Sequence, residues 1–284
     1  MSLATQASDF VRAQARAHLG KNIRRYSWAT WTGEVTHNSL GGVRYLSPAQ
    51  GTVVANDDDG QFVLVKTGMS EFRVILKELL DTPVGVGDKV SLEFYQVRRF
   101  DGSLADGSED PSLNGFYTMM LGGWFRGLFP VKWEGRYLGI DARFENGYKE
   151  IKNPYLMDLI EQMETLTVDD GWRSITGILV DAKASNLEFV DPDLDADTAT
   201  QDPAIQFAVR TEKFGGVIRI AYSRAADAYF IEASSHTGEV EKRDDVFFDA
   251  LGQTLIDLID DRNWLKVKTT ITKRAPKARA KAVA

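Results

Sequence analysis

Residues 51–97 read GTVVANDDDGQFVLVKTGMSEFRVILKELLDTPVGVGDKVSLEFYQV, and this stretch decides the fold prediction. Short runs of apolar and β-branched residues alternate with polar residues, and Asn, Asp, Gly and Ser cluster between the runs. Short runs of this composition are typical of strands, and such clusters are typical of tight turns. The stretch therefore predicts about four or five short antiparallel strands, arranged as a small barrel of the SH3-like or OB-like type.

The segment before this stretch predicts a helix followed by a strand. In SDFVRAQARAHLGKN, Ser8 suits the N-cap of a helix and Gly20 suits the position after its last turn. In RRYSWATWTGEV, the β-rich composition places Trp28 and Trp31 on opposite sides of a strand. This alternation is expected to bury at least one of the two tryptophans.

Strand patterns also dominate the rest of the chain. Residues 98–115 have the composition of a long polar loop, and residues 116–149 combine aromatic residues with glycine, which favours twisted strands. A helix with one apolar stripe is predicted from Pro154 in NPYLMDLIEQMETL. The later runs SITGILVD, LEFV, AIQFAVRT, GVIRIAYS and AYFIEAS predict strands, and WLKVKTTITKR predicts a last one.

A C-terminal helix is predicted in DDVFFDALGQTLIDLIDD, residues 244–261, with Asp244 and Asp245 capping its positive end. We therefore expect an α+β, β-rich protein: an N-terminal helix and a small antiparallel barrel, then an antiparallel sheet covered by a C-terminal helix, with a basic disordered tail. The predicted segments are 1–50, a basic helix and strand; 51–115, the barrel and an acidic loop; 116–168, aromatic strands and a helix; 169–272, the antiparallel α+β domain; and 273–284, the tail.

Composition restricts the class of protein. The 284 residues contain no cysteine, which excludes disulfides, thiolate zinc sites and cysteine nucleophiles. No window reaches the roughly 18 consecutive apolar residues that span a bilayer. The N-terminus also lacks the basic-then-apolar layout of a signal peptide. We therefore expect no membrane contact and a cytoplasmic location.

Charge is segregated along the chain. The net charge is −7, yet residues 1–33 carry +4, residues 262–284 carry +8 and residues 34–261 carry −19. The tail KRAPKARAKAVA has no hydrophobic anchor, so it is expected to stay extended and to reach phosphates in a salt-sensitive way. Its bases are Lys273, Arg274, Lys277, Arg279 and Lys281. The alternative is a solvated end that folds back onto the acidic body.

A second candidate interface lies near the N-terminus, in KNIRRYSWATWTG. Single-stranded nucleic acid binds where cations follow the phosphates and aromatic rings stack on the bases. Lys21, Arg24, Arg25 and Trp28 offer both at short range. The alternative is that these aromatic residues belong to the core.

The acidic segment DPDLDADTATQD has the spacing of a calcium loop. Positions 1, 3, 5, 7 and 12 of such a loop correspond to Asp191, Asp193, Asp195, Asp197 and Asp202. The resemblance to an EF-hand is imperfect, because Ala196 stands where the sharp turn needs glycine and because the flanks predict strands. An acidic hairpin loop is the alternative.

An enzymatic pattern occurs in TVDDGWRSITGILVDAK. A hydrophobic strand that ends in Asp-x-Lys, with an acid upstream, resembles the PD-(D/E)xK nucleases, in which carboxylates hold magnesium and a lysine assists the attacking water. The resemblance implies Asp170, Asp181 and Lys183 as the catalytic set. Glu150 and Lys152 meet the same spacing without a strand, so the pattern is permissive.

Together these observations favour a non-enzymatic accessory protein of a bacterium, plasmid or phage that binds nucleic acid, single strands included, through its basic termini and without a cofactor. The sequence contains neither a Walker-type phosphate loop nor a dinucleotide-binding glycine motif. The alternative is a structural or assembly protein, a homo-oligomer or a complex in which the basic tail contacts an acidic protein surface. A metal-dependent nuclease is the third hypothesis.

Overall fold

A computed structural model of the chain describes residues 1–34, 36, 45–56, 60–100, 102–104, 132–133, 136–137, 151–168, 173–194 and 201–276. The chain divides into two compact units. Unit one takes its described residues from Met1–Thr36, Arg44–Tyr95 and Arg262–Ala284, and unit two takes them from Gln96–Asp261. Unit two is therefore inserted between two parts of unit one.

Unit one contains a helix and a six-stranded sheet. The helix, α1, spans Leu3–Gln14. The strands, numbered in chain order, are β1 (Ser27–Trp31), β2 (Ala49–Asn56), β3 (Phe62–Lys66), β4 (Glu71–Leu76), β5 (Lys89–Glu93) and β13 (Lys268–Lys273). Their order is β1-β4-β3-β2-β5-β13, and every pair is antiparallel except β1 with β4.

The sheet packs against α1 through alternating apolar residues. Phe62 and Leu64 of β3 and Phe72 of β4 share a buried cluster with Ala7 and Val11 of α1. Phe62 and Leu64 are two apart in β3, so they lie on the same face of the sheet. The short runs and turn clusters of residues 51–97 therefore identified the strands that carry this core.

The start of α1 differs from the prediction. Ser2 is the N-cap, and its hydroxyl accepts a hydrogen bond from the N–H of Thr5 at 3.2 Å. Ser8, the predicted cap, lies inside the helix, and its hydroxyl donates to the carbonyl of Ala4 at 2.9 Å. Both serines have the chemistry of a cap. The helix begins after Ser2 because Leu3 and Ala7 extend its apolar face.

Contacts outside the strand pairs bring the two ends of the sheet together. Leu80 and Val267 form a parallel bridge, and the N–H of Val267 donates to the carbonyl of Leu79 at 2.6 Å. The indole nitrogen of Trp31 donates to the carbonyl of Leu265 at 2.8 Å. Because Trp31 ends β1 and Leu265 precedes β13, the edge strands approach each other at one end, which gives the sheet a barrel-like curl.

Unit two is an antiparallel sheet with helices on one face. The five-stranded sheet has the order β12-β11-β10-β9-β8, and two short strands form a separate pair. The strands are β6 (Lys132–Trp133), β7 (Arg136–Tyr137), β8 (Ser185–Val190), β9 (Ala204–Arg210), β10 (Gly215–Ser223), β11 (Ala228–Ser235) and β12 (Val240–Val246). The helices are α2 (Pro154–Thr165), α3 (Ile175–Asp181) and α4 (Phe248–Ile259).

One hydrophobic core joins these helices to the sheet. It contains the predicted stripe of α2, namely Leu156, Leu159, Ile160 and Met163. Leu251 and Leu255 of α4 share this core with Phe207 of β9 and Ile231 of β11. The predicted α+β, β-rich class, with an N-terminal helix and a sheet covered by a C-terminal helix, is thus confirmed. Among the described residues, no helix is long and apolar enough to cross a membrane.

Two local predictions in unit two were wrong. SITGILVD was predicted as a strand, but Ile175–Asp181 is the helix α3, which is capped by the hydroxyl of Ser174. Its residues 175–179 are all buried, so no polar face marks the helical period. Asp244 and Asp245 do not cap α4, because both lie in β12 and the N-cap of α4 is Phe247.

The last predicted strand exists, but it pairs elsewhere than expected. The segmentation grouped residues 169–272 together, whereas β13 pairs with β5 of unit one, with Lys268 opposite Glu93. The 98–115 loop and the 116–149 segment lie mostly outside the described residues, as does the chain beyond Pro276.

Candidate nucleic-acid interface

The N-terminal basic segment precedes an edge strand of unit one. Lys21, Arg24 and Arg25 are exposed in the segment between α1 and β1. β1 pairs only with β4 in the sheet order. These three cations therefore stand beside the sheet with solvent access, as a phosphate contact requires.

The aromatic residues beside them form a small cluster. The ring of Tyr26 lies 5.7 Å from that of Trp28, and Trp28 is half-buried against the α1 core. The guanidinium carbon of Arg12 lies 6.0 Å from the centre of the Trp28 ring, and Arg12 also pairs with Asp9 at 3.2 Å. Arg12 therefore lies beside the Trp28 ring and belongs to the candidate interface as well.

Trp31 has a structural role instead. Its side chain is 2% exposed, and it donates to Leu265 as described above. The prediction that strand alternation buries at least one of the two tryptophans is confirmed. Of these two tryptophans, Trp28 is the one whose ring is partly accessible to a ligand.

The described part of the basic tail begins at the end of β13. Lys273 is exposed and stands opposite Lys89 of β5 in the strand register. The next residue, Arg274, pairs with the carboxylate of Asp88 at 3.3 Å, and the N–H of Ala275 donates to the same carboxylate at 2.7 Å. Lys277, Arg279 and Lys281 lie outside the described residues.

Asp88 also belongs to this region, although the sequence analysis did not identify it as a site residue. The hydrogen bond from Ala275 lowers its pKa most, followed by one from the N–H of Gly85, and both outweigh the opposing effect of burial. Arg274 lowers the pKa further. The carboxylate is therefore charged at neutral pH. The available signal was a charged residue inside the turn VGVGDK, directly before an apolar strand.

The two basic segments belong to the same unit, but they occupy opposite ends of its strand order. The residue ranges of unit one hold 18 Lys and Arg against 10 Asp and Glu, a net charge of +8. Those of unit two hold 16 against 31, a net charge of −15. The charge segregation along the sequence thus becomes a charge difference between two folded units.

The acidic loop has structural contacts where it is described. Both carboxylate oxygens of Asp191 accept backbone N–H bonds, from Lys152 and Asn153, each at 2.9 Å. Asp193 approaches the ammonium of Lys152 at 3.8 Å. Asp191 thereby holds the segment that leads into α2. Asp195 and Asp197 lie outside the described residues, and Asp202 is half-buried.

The nuclease pattern has a different setting from the one it requires. Asp181 ends a helix rather than a strand, and its carboxylate pairs with Arg173 at 3.0 Å. Arg173 is buried and also pairs with Asp260 at 2.6 Å, so it joins the ends of α3 and α4. Lys183 is exposed with φ of 56°, and Asp170 lies outside the described residues. Asp181, one of the two described members of the trio, therefore belongs to a structural ion-pair network.

Within the residues that the structure describes, no group of three or more His, Asp or Glu side chains is placed to hold a metal ion. Comparison with known proteins adds no family: no family model, curated protein or solved structure matches the chain. Any functional assignment must therefore come from the geometry and charge described above.

Proposed function

We propose that this chain is a non-enzymatic nucleic-acid-binding accessory protein of a bacterium, plasmid or phage, and that unit one carries the interface. The observation that supports this most is the net charge of +8 on unit one, the unit to which both basic segments belong. Binding then depends on neutralising phosphates and on releasing their counterions. The lack of cysteine agrees with a cytoplasmic location, which is part of the same proposal.

The N-terminal segment supplies a preference for single strands. Arg24 and Arg25 contact phosphates, while the half-buried ring of Trp28, which lies beside Arg12, provides an aromatic surface for stacking. Lys273 and the bases beyond it add contacts that do not depend on base sequence.

The test is fluorescence anisotropy with labelled single- and double-stranded DNA and RNA over a salt series. One variant ends at Pro276, so that β13 and its contacts stay intact while Lys277, Arg279 and Lys281 are removed. A second carries Arg24→Gln and Arg25→Gln. The matched control carries Lys183→Gln and Arg210→Gln, which removes two exposed cations from unit two.

For the Arg24/Arg25 variant we expect the slope of log affinity against log salt to fall by about 1.4 on single strands, at about 0.7 per lost phosphate contact. The truncated chain should lose about 2 units of slope for the same reason. The unit-two control should bind as the unchanged protein does. Absence of binding at low salt, or an equal loss in the control, contradicts the proposal.

The opposite charges of the two units favour one second candidate, an assembly protein in which unit one of one copy contacts unit two of another. Analytical ultracentrifugation without nucleic acid tests it. A mass that rises with protein concentration and collapses in high salt supports assembly, whereas a monomer at low salt contradicts it.

A further inference from the structure

The root of the basic tail, Arg274 with Ala275, is held by one buried carboxylate. Asp88 is 3% exposed. One of its oxygens accepts the N–H of Gly85 at 2.9 Å and contacts the guanidinium of Arg274 at 3.3 Å. The other oxygen accepts the N–H of Ala275 at 2.7 Å. Two of the three donors thus come from the residues that directly follow β13.

The turn that carries Asp88 is shaped to this contact. Gly87 has φ of +90°, a backbone conformation that residues other than glycine rarely adopt. A Cβ atom built on Gly87 would lie 3.0 Å from the Cβ atom of Ala275. The turn therefore needs glycine both for its backbone angle and for the close approach of the tail root.

The pair between Asp88 and Arg274 changes what Arg274 can contribute to binding. Counterion release depends on cations that are not already neutralised by the protein. The side chain of Arg274 is 68% exposed, so a phosphate can reach it, but its charge is balanced by a carboxylate that is 4% exposed and accepts two backbone N–H bonds. Arg274 adds a phosphate contact only when this pair separates.

We infer that Asp88 is a positioning residue for the tail, which fixes the direction in which the basic segment leaves β13 and withholds the charge of Arg274 from phosphate. This inference rests on the proposed function. Within the tail, the cations that remain for phosphate are then Lys273 and the bases beyond Pro276.

The binding test compares full-length variants on the same labelled single strand over a salt series. Asp88→Asn removes the charge but keeps an acceptor. Asp81→Asn is the matched control, because the carboxylate of Asp81 accepts the N–H of Thr269 at 2.9 Å and so holds the beginning of the same strand without an arginine. The double variant Asp88→Asn with Arg274→Gln removes both members of the pair.

Asp88→Asn should bind about two- to fivefold more tightly at low salt, the factor that corresponds to one exposed ion pair. Its salt slope should be steeper by about 0.7, the value of one added phosphate contact. Asp81→Asn and the double variant should keep the original slope. An equal gain in affinity for Asp81→Asn would show that the effect comes only from the change in net charge, which would overturn the inference. A gain in affinity that persists in the double variant would overturn it as well.

The single variant Arg274→Gln tests the same pair without a risk of misfolding, because it leaves the buried carboxylate of Asp88 and its two backbone donors in place. Its salt slope should equal that of the unchanged protein. A slope that is lower by about 0.7 shows that Arg274 already contacts phosphate, which overturns the inference.

Trypsin provides a readout that does not depend on nucleic acid. Cleavage after Arg274, followed by mass spectrometry, should be faster in Asp88→Asn than in the unchanged protein or in Asp81→Asn, because the tail root is released. Equal rates overturn the positioning role. If the unchanged protein binds no nucleic acid, the proposed function fails, and the cleavage rates still decide whether Asp88 holds the tail.

Discussion

The indole N–H of Trp31 donates to the carbonyl of Leu265 at 2.8 Å across a sequence separation of 234 residues. Trp31 is the last residue of β1, and Leu265 lies three residues before β13, so one buried hydrogen bond joins the end of β1 to the segment that leads into β13. Ring contact with Phe94, whose centre lies 5.6 Å away, holds the indole in place. Unit one thus depends on residues from both sides of the inserted unit.

Replacing Trp31 by Phe tests the hydrogen bond between Trp31 and Leu265. A smaller aromatic ring remains and the carbonyl of Leu265 loses its donor, so we expect a loss of at least about 1–3 kcal/mol in the free energy of unfolding, to which the lost ring volume adds. The control, Trp28→Phe, changes a half-buried ring at the surface and should cost under about 1 kcal/mol. Urea unfolding followed by circular dichroism measures both. Equal effects would show that the hydrogen bond adds nothing to the stability of unit one.

Removing the buried guanidinium of Arg173 should destabilise unit two strongly. Arg173→Ala leaves the carboxylates of Asp181 and Asp260 without their shared cation, which costs about 3–5 kcal/mol when a buried pair is broken. Arg12→Ala, which breaks an exposed pair with Asp9, should cost under about 1 kcal/mol. Hydrogen exchange of the β10 and β11 amides locates the effect. A loss below about 1 kcal/mol for Arg173→Ala contradicts the prediction.

Gly216 allows β10 and β11 to approach each other. A Cβ atom at this position would lie 2.1 Å from the carbonyl oxygen of Ser234, which belongs to the neighbouring backbone and cannot rotate away. Gly216→Ala should therefore cost about 1–3 kcal/mol of stability. Gly20→Ala, where the nearest atom is 3.8 Å away, should stay within about 0.5 kcal/mol. Thermal unfolding distinguishes the two, and a Gly216→Ala protein as stable as the parent would rule out the steric argument.

Two tyrosines of unit two should ionise late. The hydrogen bond to Asp227 raises the pKa of Tyr222 to about 12, and burial raises that of Tyr229 to about 12. Each folded pKa exceeds the ordinary value of about 10. The stabilisation they provide is therefore complete below about pH 10 and is lost as the pH rises through about 12. Tyrosinate absorbance during alkaline titration measures this directly.

Asp227→Asn separates the two causes. The pKa of Tyr222 should fall towards about 10, because its hydrogen bond to a charged acceptor is its main perturbation. That of Tyr229 should change less, since burial comes first among its causes and Asp227 last. A titration curve that is unchanged by the substitution contradicts this assignment.

The sequence predicted the elements whose apolar residues keep a single period. The strands of residues 51–97 contribute apolar residues to the core of unit one. The runs AIQFAVRT, GVIRIAYS and AYFIEAS and the helix from Pro154 contribute theirs to the core of unit two. The helix α3 was not predicted because its residues 175–179 are all buried and show no helical period, although Ser174 before it had the chemistry of a cap. The strand β12 was not predicted for the opposite reason, because six of its seven residues are exposed and it has no apolar side.

The candidate site could be predicted only where it depends on local charge. Lys21, Arg24 and Arg25 are exposed as expected, since cations rarely enter a core. The contact between Asp88 and the tail root joins residues 187 apart, and no spacing in the sequence indicates it. The partition of charge between two folded units likewise depends on β13 returning to β5, which is a property of the fold.

That return has a consequence for synthesis. The ribosome delivers β5 and then all of unit two before it reaches β13, a delay of roughly 10 to 35 seconds at about 5–20 residues per second. During this interval the edge of β5 that β13 later covers has no partner strand, and an open edge can recruit another chain. Unit two, although it starts later in the chain, is therefore the first unit that can be complete, and unit one is the part of the nascent protein most exposed to misassembly.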